Sequence, residues 1–119
     1  MSSLKSFREL TVWQKSVDLA ERIYQETQSF PKEEIYGLVS QMRRAVISIP
    51  SNIAEGQSRN STGEFRQFLG ISRGSLAELE TQIEVAGRLK YLTPPQLEIL
   101  LQDCTEIGKM LNGLMRSLR

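Results

Sequence analysis

Apolar residues recur along this chain at alternating steps of three and four, the spacing that lines up side chains on one face of an α-helix. Leu10, Trp13, Val17, Ala20 and Tyr24 make the first such run, and Ile35, Leu38, Met42, Val46, Ile49 and Ile53 the second. Phe65, Leu69, Leu76, Leu79, Ile83 and Ala86 follow, then Leu97, Leu100, Leu101, Cys104, Ile107, Leu111, Leu114 and Leu118. Helix punctuation falls between the runs. Phe30-Pro31 stops the first, Ser61 and Glu64 have capping-box spacing, and Thr93 precedes a proline at the favoured first helical position. The pattern predicts helices over roughly 9–28, 33–58, 61–90 and 94–118. Four amphipathic helices with short connections imply an all-α fold, an antiparallel up-down four-helix bundle of long helices in one domain, 1–119. Pro50 lies inside the second run, where it removes a hydrogen bond and crowds the carbonyl of Val46. The expectation is a helix kinked near Pro50 but continuous, with a loop at 48–52 as the alternative.

Some residues fall outside the main stripes. A slender bundle has a narrow core, so Val12, Leu19 and Ile23 form a second apolar stripe on the first helix. It reads either as a broadened core face or as an oligomer interface. Gln41, Arg44, Ser48, Asn52 and Glu55 form a polar line on the second helix, and Ser72, Ser75, Glu78 and Gln82 form one on the third. A turn centred near Arg59-Asn60 would set Arg44 opposite Ser75 and Gln41 opposite Glu78, with an Arg44–Glu78 pair within reach. These residues are expected to make a partly buried interhelix or intersubunit network, against the plainer reading of a solvated flank. Gly70 and Gly74 lower helix propensity by about 1 kcal/mol each, which suggests that another backbone approaches there.

Charge then narrows the chemistry. Fifteen Lys and Arg against fourteen Asp and Glu leave a net +1, without the strong basic bias of an obligate nucleic-acid or membrane binder. No histidine is present, and Cys104 is the single cysteine, which excludes histidine-based triads, multi-thiolate zinc sites and any internal disulfide. Cys104 also lies in the core periodicity of its helix. No nucleophile–base pair is available, so the reading is a non-enzyme with no cofactor. A carboxylate metal site involving Glu55 is the residual enzymatic alternative. One local excess stands out. From Arg43 to Arg73 there are five arginines against two glutamates. Arg43, Arg59, Arg66 and Arg73 are therefore the candidate nucleic-acid contacts, with a solvated salt-bridged face as the alternative. The N-terminus, Met1 to Phe7, has no apolar stretch of signal-peptide length and no run is long enough to span a bilayer, so a cytoplasmic protein without a membrane partner is expected.

Several blocks carry a family resemblance. They are Phe7-x-x-Leu10-x-Val12-Trp13-Gln14, Phe30-Pro31-x-Glu33-Glu34-x-Tyr36-Gly37-Leu38 and Gln41-Met42-Arg43-Arg44-Ala45, followed by Ser48-Ile49-Pro50-Ser51-Asn52-Ile53-Ala54-Glu55-Gly56 and Gly74-Ser75-Leu76-x-Glu78-Leu79-Glu80-Thr81-Gln82. The chain resembles the four-helix-bundle family of 23S rRNA intervening-sequence proteins, also labelled the S23 ribosomal protein family. It is similar as well to the accessory variability determinant of diversity-generating retroelements. The resemblance implies a homopentamer without catalytic activity and, from the retroelement relative, binding to RNA or DNA beside a reverse transcriptase. Five copies of this chain would carry a total charge of only about +5, whereas that relative is markedly basic. The function expected is a non-enzymatic homo-oligomeric scaffold for nucleic acid or a ribonucleoprotein. The alternative is a protein–protein scaffold that binds no nucleic acid.

Overall fold

The computed structural model describes residues 6–118; the ends of the 1–119 span lie outside the described residues. Four helices follow in order: α1 Thr11–Thr27, α2 Leu38–Gln57, α3 Thr62–Arg88 and α4 Pro94–Ser117. Short 3-10 turns at Phe7–Glu9 and Lys32–Glu34 precede α1 and α2. Each helix packs on its chain neighbours and α4 closes back on α1, giving an up-down four-helix bundle measuring 47 × 24 × 19 Å. The α2–α3 seam is the most extensive.

The helix ends match the sequence pattern closely, with one exception. Residues 33–37 do not join α2. Gly37 takes φ −112° and ψ −111°, outside the helical region, and the Leu38 N–H donates to Glu34 Oε1 at 3.2 Å. The chain thus turns before α2 starts, and Ile35, expected in the core, is exposed. Ser61 caps α3 by accepting from the Glu64 N–H at 3.1 Å, and Thr93 with Gln96 forms a full capping box on α4. At the end of α3, Lys90 adopts φ 66°, so that the Tyr91 and Lys90 N–H groups reach Ala86 O and Gly87 O.

Helix α2 runs unbroken through the buried Pro50, as expected. Side chains bring extra donors to that turn. Asn52 Nδ2 donates to Ser48 O at 2.8 Å, and Ser72 Oγ of α3 donates to Ile49 O at 2.9 Å. Polar atoms near the helical proline are therefore satisfied from its own flank and from its neighbour.

The face α1 turns inward is rotated from the expected run, of which Ala20 is buried and Leu10 and Trp13 pack against the core. Val12, Leu19 and Ile23 are 5%, 1% and 0% exposed, while Val17 and Tyr24 are each 39% exposed. Ser16 and Thr27 explain the rotation. Both are buried, and each hydroxyl donates to a carbonyl of its own helix, Ser16 to Val12 O and Thr27 to Ile23 O, both at 2.7 Å. A self-satisfied hydroxyl is buried at little cost, so these two complete the stripe of Val12, Leu19 and Ile23. Of its two readings, the stripe is therefore the broadened core face and not an oligomer interface.

Candidate functional site

The polar line splits into two parts. Around Pro50, Ser48 and Ser75 share a 2.8 Å hydrogen bond between hydroxyls, and Asn52 Nδ2 reaches Ser48 Oγ at 3.0 Å. Ser75 thus meets Ser48 instead of Arg44, one helical turn from the expected register. The register is set at Gly56, where an added Cβ would lie 2.7 Å from Phe68 Cβ and 3.0 Å from Phe65 Cδ1. α3 packs directly against the Gly56 backbone there, and the midpoint of the loop does not govern the pairing. The small-residue contact expected at Gly70 and Gly74 is absent, since a Cβ at either meets open space.

The other half of the line faces outward. Gln41, Arg44, Glu78 and Gln82 border an open cleft of about 280 Å³ between α2 and α3, together with Ala45, Ser48 and Ser75. Arg44 and Glu78 share this cleft without forming an ion pair. The cause is exposure: two solvated side chains gain too little from pairing to fix one geometry. Gln82 Oε1 is buried there without a hydrogen-bond partner. Glu55 is at the far end, bound to Arg59 at 3.0 Å. Among the described residues, no three carboxylate or thiol groups converge as metal ligands. Burial pushes the Cys104 thiol up to about 12, helped by the charges of Glu80 and Asp103. At neutral pH it is a protonated core side chain.

The four candidate arginines do not form one surface. Arg43 holds the end of α1: its Nε donates to Thr27 Oγ1 at 3.0 Å, its Nη2 to Tyr24 O at 3.2 Å, and its guanidinium lies over the Tyr24 ring. Arg59 is tied to Glu55 and lies 4.8 Å from the Phe68 ring centroid. Only Arg66 and Arg73 come together, on the α3–α4 seam. Arg66 Nε donates to Met115 O at 3.0 Å and Arg73 Nη1 to Asn112 Oδ1 at 2.9 Å. Arg116 completes this cleft of about 400 Å³. Sequence spacing could not find it, because Arg116 lies 43 positions beyond Arg73 on another helix.

A larger apolar groove opens between α1 and α2. Its volume is about 930 Å³, and Tyr24, Ile35, Tyr36 and Ile47 line it. Tyr36 is 97% exposed and Ile35 50%. The only hint in the sequence was Ile35-Tyr36 just ahead of a glycine. Across the bundle, α4 carries a second cleft lined by Leu97 and Leu101 with Glu98, Glu106 and Lys109. Among the described residues, no helix is long and apolar enough to cross a membrane.

The sequence model described as 23S rRNA-intervening sequence protein matches residues 8–113. The fold is also similar to a crystal structure of a protein of unknown function from the S23 ribosomal protein family of Bacteroides thetaiotaomicron. The TM-score is 0.81 at 29% identity, over 88% of this chain and 95% of that one. No curated protein matches the chain.

Proposed function

The chain belongs to the family of 23S rRNA-intervening sequence proteins, and from that premise we propose that it is a non-enzymatic scaffold that assembles with copies of itself and engages a nucleic acid or ribonucleoprotein. The observation that carries this reading is the α1–α2 groove, where Tyr36, Ile35, Tyr24 and Ile47 leave apolar surface in water. Exposed apolar patches of this kind mark contact sites. A closed ring needs two different, complementary patches on each subunit. Lys32, Arg43 and Arg44 border the groove, whereas the cleft on α4, the helix diagonal to α2, is bordered by Glu98, by Glu106 in its pair with Lys15, and by Lys109. Two apolar patches on different sides of the bundle, one with a basic border and one with Glu98 at its edge, suit a head-to-tail contact between copies. The pentamer implied by the family resemblance, a reverse transcriptase as the ribonucleoprotein partner, and a cytoplasmic location all belong to this proposal.

Light scattering at micromolar concentration is the test. The expected mass is about five chains for the wild type, falling to one or two for Tyr36→Glu combined with Ile47→Glu. Both positions are exposed, so the helical circular dichroism should not change. A wild-type monomer overturns the reading.

A further inference from the structure

Arg66 and Arg73 lie two turns apart on α3, separated by roughly 10 Å of helix rise. Each is fixed to α4 by one nitrogen on a neutral acceptor, the Met115 carbonyl or the Asn112 side-chain oxygen. No hydrogen bond or ion pair among the described residues takes their remaining guanidinium N–H groups. Arg116 lines the same cleft and, among the described residues, also has no carboxylate partner. Three other arginines are engaged, Arg22 with Asp103, Arg59 with Glu55, and Arg43 at the end of α1, while Arg44 shares its cleft with the carboxylate of Glu78. The α3–α4 cleft therefore concentrates three unneutralised charges in a chain whose net charge is +1. The nearby C-terminus of α4 contributes only about half a negative charge, which three guanidiniums outweigh.

Guanidiniums held at one nitrogen, with the others free, suit anions that accept two parallel hydrogen bonds. Besides the arginines, the cleft is lined only by Asn112 and Met115. It offers no aromatic ring on which a base could stack and no deep apolar hole for a peptide side chain. We infer that the cleft formed by Arg66, Arg73 and Arg116 is a phosphodiester-backbone site, through which nucleic acid is held without regard to sequence. The inference rests on the nucleic-acid half of the proposed function and gives it an address. It also moves that address away from Arg43 and Arg59. Repetition in a ring would align several such clefts and compensate for the low net charge of one subunit.

The test is fluorescence anisotropy with labelled RNA and DNA of mixed sequence, single- and double-stranded, at about 50 and 200 mM salt. The Arg116 side chain makes no hydrogen bond among the described residues, so Arg116→Gln reports on the ligand without disturbing the bundle. It is expected to weaken binding roughly tenfold, the value of one charge-assisted hydrogen bond, and to flatten the salt dependence. Arg88→Gln removes the same charge from the other end of α3 and should leave affinity within about twofold. Arg66→Gln and Arg73→Gln should follow Arg116→Gln, with melting curves run in parallel. Wild-type binding that ignores Arg116→Gln, or falls equally with Arg88→Gln, overturns the cleft and leaves the nucleic-acid reading standing. Absence of binding at low salt overturns both, while light scattering still reports assembly separately. Polyglutamate that binds as tightly as nucleic acid reassigns the cleft to an acidic protein and overturns the inference.

Discussion

Helix α3 presents polar groups to both of its neighbours, and the two seams use them in opposite ways. Toward α2 it offers Ser72 and Ser75, short hydroxyls that reach the Ile49 carbonyl and Ser48 in the turn containing Pro50. Toward α4 it offers Arg66 and Arg73, long side chains that touch a carbonyl and an amide oxygen and still have donors left over. Around Pro50 the first seam is closed, with the hydroxyls of Ser48, Ser72 and Ser75 matched inside the chain. The second is open, and its donors exceed its acceptors. A seam that satisfies itself can only stabilise, whereas one with surplus charge can also bind. Polar residues at an interhelix contact are thus sorted into structural and functional by the balance of donors and acceptors, and their position on the helix does not sort them.

Substitutions can break this contrast, beginning at the closed seam. Gly56→Ala places a methyl against Phe68 Cβ, and the melting temperature should fall by the equivalent of about 1–3 kcal/mol despite the better helix propensity of alanine. Ser72→Ala leaves Ile49 O without its interhelix donor and should cost about 1–2 kcal/mol in denaturant unfolding. Gly74→Ala provides the matched opposite to Gly56. Its Cβ meets open space, so stability should rise by up to about 1 kcal/mol. A loss there, with a drop in assembly size, would reveal that another subunit covers this face. At the open seam, Arg66→Ala removes one partly exposed bond to the last turn of α4 and should lower stability by only about 0.5–1 kcal/mol, leaving the fold intact.

The smallest expected effect is chemical. Burial raises the Cys104 pKa, so its protonated form is the one the fold favours. That stability is complete below the unfolded-state thiol pKa and is lost only as pH rises toward about 12. At pH 8 the native thiol should therefore resist a disulfide reagent that modifies it at once in denaturant.

The fold was legible in the sequence because burial follows apolar period, and α3 and α4 conform almost residue by residue. Which stripe of α1 lies innermost was not legible, because Ser16 and Thr27 count as polar in any alphabet. Their hydroxyls bond to their own helix, and only the folded chain reveals that they pack as small apolar groups. Among the site residues, the sequence placed Ser48, Asn52, Ser72 and Ser75 on facing stripes. It could not set the register, which depends on how closely Gly56 lets Phe65 and Phe68 approach.

By itself, then, the sequence determined four amphipathic helices, their caps and their order, since these depend on contacts within a few residues. Tertiary structure alone decided which arginines are engaged and which remain available. That outcome depends on acceptors brought from distant positions, such as Asn112 to Arg73 and Thr27 to Arg43, and a guanidinium's partners are set by distance in space.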